Sequence, residues 1–230
     1  MHTPGVSTKP WGDPHKAKVL VIGHDPRLKE SDTLANYAFF ADYHFNPKPS
    51  NNRELAKYEL AEALFTCIRD LTGGRISDEK LLVTNLCNEA LDHPAGRKTV
   101  YIPKQKAEKG LKETRAQLTG SNVKLIFAMS QQVNYWLQML GFYPASVSFV
   151  EASKPKEAGL KSRPQYYEPS RPRAFKEICG KRFVADGKYH LFPILHVKAY
   201  PLKGAFLTYD EDYAHCRLEV GKTITALRLG

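Results

Sequence analysis

Cysteine is scarce in this chain. The four present, Cys67, Cys87, Cys179 and Cys216, are scattered over 230 residues without a Cys-x-x-Cys pair. That spacing argues against a zinc ribbon and against a dense disulfide framework, and it fits reduced thiols in a cytoplasmic protein. Long apolar runs are missing too. The first residues, with Pro4, Pro10 and Pro14 among charges, contain no signal-peptide core, and no segment approaches the ~20 apolar residues that cross a bilayer. Neither secretion nor membrane insertion is expected. Glycine-rich phosphate loops of the Walker or dinucleotide type are absent, which disfavours a nucleotide hydrolase on a flavodoxin-like sheet. No internal repeat is found.

Apolar residues make up 42% of the chain, enough to bury one sizeable core. Lys and Arg number 34 against 24 Asp and Glu, a formal +10, and that field attracts phosphates, anionic lipid or acidic protein. Residues 1–17, rich in Pro, Gly and charge, read as a flexible arm ahead of a single domain over 18–230.

Short apolar runs recur at Val19–Ile22 (closed by Gly23), Leu81–Thr84, Leu125–Ala128 and Leu191–Leu195. Such runs suit strands buried on both faces of a parallel sheet. Helical spacing falls between them. Ala61, Leu64, Phe65, Ile68 and Leu71 share a face behind the capping candidates Ser50, Asn51 and Asn52, and Gly73-Gly74 ends that helix. A lysine-rich helix is expected over about 104–119, a third behind Ser130, and a last one carrying Tyr213, Cys216, Val220, Ile224 and Leu227. The alternation predicts a three-layer α/β/α fold around a mainly parallel, four-stranded sheet.

Two stretches interrupt this order. Residues 29–52 hold Tyr37, Phe39, Phe40, Tyr43 and Phe45 between prolines, and long connections of this kind are often functional. Residues 151–182 contain nine Lys or Arg interleaved with Pro and aromatics, the composition of a flexible basic flap. Asp186-Gly187 then reads as a hairpin turn back to the sheet.

Ligands of open parallel sheets bind beyond the carboxyl ends of the strands, where loops converge. Three such exits are polar: Gly23-His24-Asp25-Pro26, Asn85 after Val83-Thr84, and His196 after Ile194-Leu195. Each has a structural use, as a turn, a helix cap or a satisfied imidazole. Together they place a carboxylate, an amide and an imidazole on one edge.

These stretches resemble the uracil-DNA glycosylase superfamily. Val19-Leu20-Val21-Ile22-Gly23-His24-Asp25-Pro26 is similar to its first signature, a strand followed by Gly-x-Asp-Pro. Leu82-Val83-Thr84-Asn85-Leu86 is similar to the strand that ends in its base-reading asparagine. Lys124-Leu125-Ile126-Phe127-Ala128-Met129-Ser130, between a lysine-rich helix and another helix, is similar to a family strand that ends in glycine. Phe192-Pro193-Ile194-Leu195-His196 is similar to the strand that delivers the second signature, His-Pro-Ser. The likeness runs in order over about 18–230.

The resemblance implies a single uracil-DNA glycosylase-like domain that flips a base out of DNA, reads its Watson–Crick edge and hydrolyses its glycosidic bond without a cofactor. Asp25 would orient water and stabilise the cationic sugar, Asn85 would read the base, and His196 would bond to the departing base anion. Phe39 or Phe40 would stack on the base, with His24 and Arg27 beside it. Arg27 stands where the best-known branch has a tyrosine. Lys198, Arg171, Arg173 and the lysine-rich helix would meet phosphates, and Leu202 would be the wedge in the stack. After His196 the chain reads Val197-Lys198-Ala199-Tyr200 instead of Pro-Ser, and Glu89 stands where a ligand of the family's iron–sulfur branch would follow Asn85. No metal or cluster, and a monomer on DNA, are therefore expected. The competing reading is a nucleic-acid or nucleobase-binding module of the same fold that has lost catalysis.

Overall fold

The computed structural model describes residues 7–24, 37–45, 51–89, 91, 102–152 and 172–229. Its strands are β1 (Val19–Gly23), β2 (Leu81–Asn85), β3 (Leu125–Met129), β4 (Phe183–Ala185) and β5 (Tyr189–Ile194), in the order β2-β1-β3-β5-β4. The first four in that order are parallel, and β4 pairs antiparallel with β5. Every residue of β1, β2 and β3 is buried, as near-continuous apolar runs require of strands covered on both faces.

The helices are α1 (Asn52–Thr72), α2 (Lys104–Leu118), α3 (Gln131–Met139), α4 (Val147–Ala152), α5 (Pro172–Phe175) and α6 (Asp210–Leu227). The crossovers β1–α1–β2 and β2–α2–β3 run in opposite directions across the sheet, so their right-handedness sets α1 and α2 on opposite faces. The packing agrees, since α6 lies against α1 and α3 lies against α2. Local chemistry starts and stops these helices where expected. Asn51 Oδ1 accepts the Glu54 N–H at 3.0 Å at the head of α1, Gly73 and Gly74 take φ of 62° and 70° behind it, and Ser130 Oγ accepts the Val133 N–H at the head of α3.

Three expectations change. The sheet has a fifth strand, because the Asp186-Gly187 turn, with φ of 44° and 70°, folds β4 back along β5 as a short antiparallel edge. Residues 7–17, expected as an arm, are laid against the sheet from Ser7 onward. Trp11 exchanges two 2.8 Å backbone bonds with Val83, Thr8 N–H donates to the Asn88 carbonyl, and Ala17 is fully buried. This segment covers the outer edge of β2, which would otherwise present unpaired backbone groups. Of the expected basic flap 151–182, residues 153–171 lie outside the described residues, and its described end is folded onto the domain. Phe175, Ile178 and Cys179 lie in the core, and Gly180 N–H donates to the Pro193 carbonyl at 2.8 Å.

Candidate active site

At their carboxyl ends the parallel strands stay paired in twos, β1 with β2 and β3 with β5. Gly23 and Asn85 are register partners, Leu86 N–H donates to the Gly23 carbonyl at 2.8 Å, and Ser130 N–H donates to the Ile194 carbonyl at 2.9 Å. The sheet reverses its winding between β1 and β3, so the exits of Gly23 and Ser130 flank the crevice where such folds place ligands.

Gly23 is the meeting point. A methyl group there would lie 2.0 Å from Cε2 of Phe39 and 2.6 Å from Oδ1 of Asn85, so both side chains rest on the space that the glycine leaves open. Phe39 also stacks on His196, with ring centroids 5.6 Å apart and planes inclined by 28°. An amide from β2 and an aromatic from the 38–45 segment thus meet at the end of β1, and an imidazole two residues past β5 stacks on that aromatic.

Asn85 is 1% exposed. Its Nδ2 donates to Thr8 Oγ1 at 3.5 Å, a long contact, and its backbone N–H donates to Asn88 Oδ1 at 3.3 Å. Thr8 Oγ1 in turn donates to Asn88 Oδ1. Neither Thr8 nor Asn88 stood out in the sequence. The Asn85-x-x-Asn88 spacing is the only trace of this network, because Thr8 reaches it solely through the docked N-terminal segment.

Of the two phenylalanines, Phe39 is the one at Gly23 and His196. Consecutive residues Phe39 and Phe40 adopt left-handed backbone conformations, with φ of 55° and 53°, which costs non-glycine residues about 1–3 kcal/mol each unless the surroundings impose it. The two rings part company as a result. Phe39 turns to Gly23 and His196, whereas Phe40 turns to Lys57 and Tyr43. Around them, Ala38 N–H bonds to the Lys9 carbonyl, and His44 meets Glu62 through Nδ1 and Asp78 through Nε2 while stacking on Phe65. This clamp fastens the 38–45 segment to α1.

His196 is half-buried and caps the short 3-10 turn Val197–Ala199, where its Nδ1 accepts the Lys198 N–H at 3.2 Å. An accepting Nδ1 carries no proton, so in the neutral ring the proton sits on Nε2. The strand end behind it is anchored by Leu195 N–H donating to the Tyr213 hydroxyl, which burial keeps protonated by pushing its pKa well up.

The remaining expected residues divide. Asp25, Arg27 and Arg171 lie outside the described residues, as does the side chain of Arg173. His24 is half-buried at the β1 exit, and Lys198 is exposed beside His196. Leu202, expected as a protruding wedge, packs against the core, and the exposed leucine of that connection is Leu207. The basic side chains of α2 are largely committed to carboxylates. Lys106 and Lys109 hold Glu89, whose carboxyl they keep below its ordinary pKa, and Arg115 makes a two-pronged bond to Asp186. A surface groove of about 510 Å³ between the end of α1 and α6 is lined by Arg75, Arg217 and Lys222 and by none of the candidate residues. Among the described residues no group of His, Cys, Asp or Glu is arranged to hold a metal ion, and no helix is long and apolar enough to cross a membrane. No protein-family model matches the chain, and no curated protein matches it.

Proposed function

We propose that this protein is a uracil-DNA glycosylase-like enzyme that hydrolyses the N-glycosidic bond of uracil or a related deaminated base after flipping it from DNA. The observation that carries the reading is that Phe39 and Asn85 Oδ1 meet at Gly23 while His196 stacks on Phe39. With stacked rings about 3.5 Å apart, a 5.6 Å centroid distance means that His196 covers only one side of the Phe39 face. A base stacked on the other side would meet the edge of the imidazole, where Nε2–H can donate to a base oxygen as negative charge develops. Asn85 offers an acceptor and a donor on adjacent atoms to the base edge, at the cost of its weak bond to Thr8. In the proposed reaction the bond between C1′ and the base nitrogen breaks, water adds to C1′, and a proton from that water goes to the base. Asp25, two residues beyond Gly23 in the chain, is assigned the carboxylate that orients the water and offsets the positive sugar.

Support also comes from Ser130. It occupies the position where the resembling family strand ends in glycine, and its φ of 81° with ψ of 154° is a conformation that glycine favours.

One observation favours the binding-module reading instead. The stacking face is already partly occupied by His196, Phe39 is only 6% exposed, and the Asn85 amide is engaged by the N-terminal segment. Incubation with single- and double-stranded oligonucleotides that contain uracil, hypoxanthine or xanthine, followed by alkali, separates the two. Strand scission that disappears in Asp25→Asn, with DNA affinity retained, supports the enzyme. Binding without scission on every base tried sinks it in favour of the module.

A further inference from the structure

At the opposite edge of the sheet, three lysines stand at the thresholds of three adjacent strands. Lys18, Lys80 and Lys124 each lie one residue before the register partners Val19, Leu81 and Leu125. The backbone ladder already includes them, since Lys18 N–H donates to the Lys80 carbonyl at 2.8 Å and Lys124 N–H donates to the Lys18 carbonyl at 3.0 Å. Neighbouring strands are about 4.8 Å apart, so the three lysines stand in one row at this end of the sheet, Lys80–Lys18–Lys124, with Lys80 closing the 3-10 turn Asp78–Lys80 that leads into β2.

Like charges placed directly opposite are destabilising, and a sheet usually offsets them with carboxylates. Among the described residues none of the three lysines forms an ion pair. The carboxylates near this edge in the chain have other partners. Asp13 accepts the His15 N–H, Asp78 holds His44 and Arg69, Glu79 accepts the Ser77 hydroxyl, and Asp186 holds Arg115. Lys18 and Lys80 are half-buried and Lys124 is exposed, so none of the three is enclosed by the core.

We propose that this row is a docking surface for the phosphate backbone of a nucleic acid, separate from the carboxyl-edge site. A line of flexible point charges at regular spacing suits a repeating phosphate chain, which lysine meets without the planar geometry that arginine needs. The strands put the row about 16 Å from the candidate active site, so it engages a second stretch of a nucleic acid or a second strand. It reads no sequence, because phosphate contacts position without specifying.

The test uses the full chain and undamaged fluorescein-labelled oligothymidylate, so that it does not depend on base excision. Affinity is measured against salt for the wild type, for the Lys18→Gln, Lys80→Gln, Lys124→Gln triple variant and for the corresponding triple arginine variant. Each phosphate contact contributes about 0.7 to the slope of log affinity on log salt for single strands, so the glutamine variant should flatten the slope by about 2 and the arginine variant should preserve it. If the triple variant does not fold by thermal unfolding, Lys124→Gln alone should flatten the slope by about 0.7. Unchanged affinity and slope in the glutamine variants overturn the proposal. Loss of binding to polyglutamate or to phosphatidylserine vesicles with oligothymidylate binding intact overturns it as well, in favour of an acidic protein or a membrane. A wild type that binds oligothymidylate with the lysine-dependent slope but excises no base supports this surface and removes the glycosylase reading alone.

Discussion

Phe39 and His196, remote in the chain, stack on one another over the end of β1. The contact joins a strained segment to the chain just past β5. If Nε2–H stabilises the departing base, His196→Ala should lower kcat for uracil excision by about 10²–10³-fold, the loss typical of one oxyanion donor. Single-turnover excision kinetics check this. A variant with unaltered kcat would take the imidazole out of the reaction.

Gly23 is needed for its lack of a side chain. In Gly23→Ala the new methyl group meets Phe39 at 2.0 Å and Asn85 at 2.6 Å, and neither neighbour has free room. Stability should fall by about 1–3 kcal/mol, as for other overpacked cores, and binding of a flipped base should fall with it. Urea denaturation and binding of an abasic-site or uracil duplex measure the two effects. A stable variant with full activity would show that Phe39 and Asn85 do not meet at this point.

Ser130 yields a prediction of sign. Its backbone sits at φ 81°, while its hydroxyl makes only a 3.4 Å cap to Val133. Glycine relieves strain of about 1–3 kcal/mol, and a glycine cap costs only tenths. Ser130→Gly should therefore raise the midpoint of urea unfolding, and Ser130→Ala, which loses the cap and keeps the strain, should lower it. The reverse order would contradict the backbone assigned here.

Asp42, in the segment that carries Phe39, has a buried carboxylate oxygen without a hydrogen-bond partner, and burial raises its pKa above the ordinary 3.8, against its own backbone bond and Lys57. A raised acid pKa favours the protonated form in the fold. Its contribution to stability is full below 3.8 and is lost as pH climbs through the raised value. Asp42→Asn should thus melt higher than the wild type at neutral pH and lose that advantage in acid. Thermal unfolding across the pH range decides it, and a constant difference between the two proteins would refute the assignment.

Much of this architecture could be read directly from residues. The apolar runs at Val19–Ile22, Leu81–Thr84, Leu125–Ala128 and Leu191–Leu195 are the four parallel strands, and Asn51, Gly73-Gly74, Ser130 and Asp186-Gly187 punctuate the chain as their backbone chemistry demands. The same reading placed Asn85 and His196 at strand exits, because periodicity and caps act over a few residues and leave local marks. It could not separate Phe39 from Phe40, since both are aromatic and only their successive left-handed dihedrals send the rings opposite ways.

Contacts between distant stretches left no such marks. Thr8 reaches Asn85 because a segment with the composition of a loose arm completes the open edge of β2, and that pairing is a property of the edge rather than of the arm. Phe175, Ile178 and Cys179 joined the core although their surroundings are basic, because burial is decided by which face has a partner. The lysine row is the plainest case. Lys18, Lys80 and Lys124 are ordinary charges in the chain, and only the parallel register, set when buried strands align their backbones, makes them neighbours.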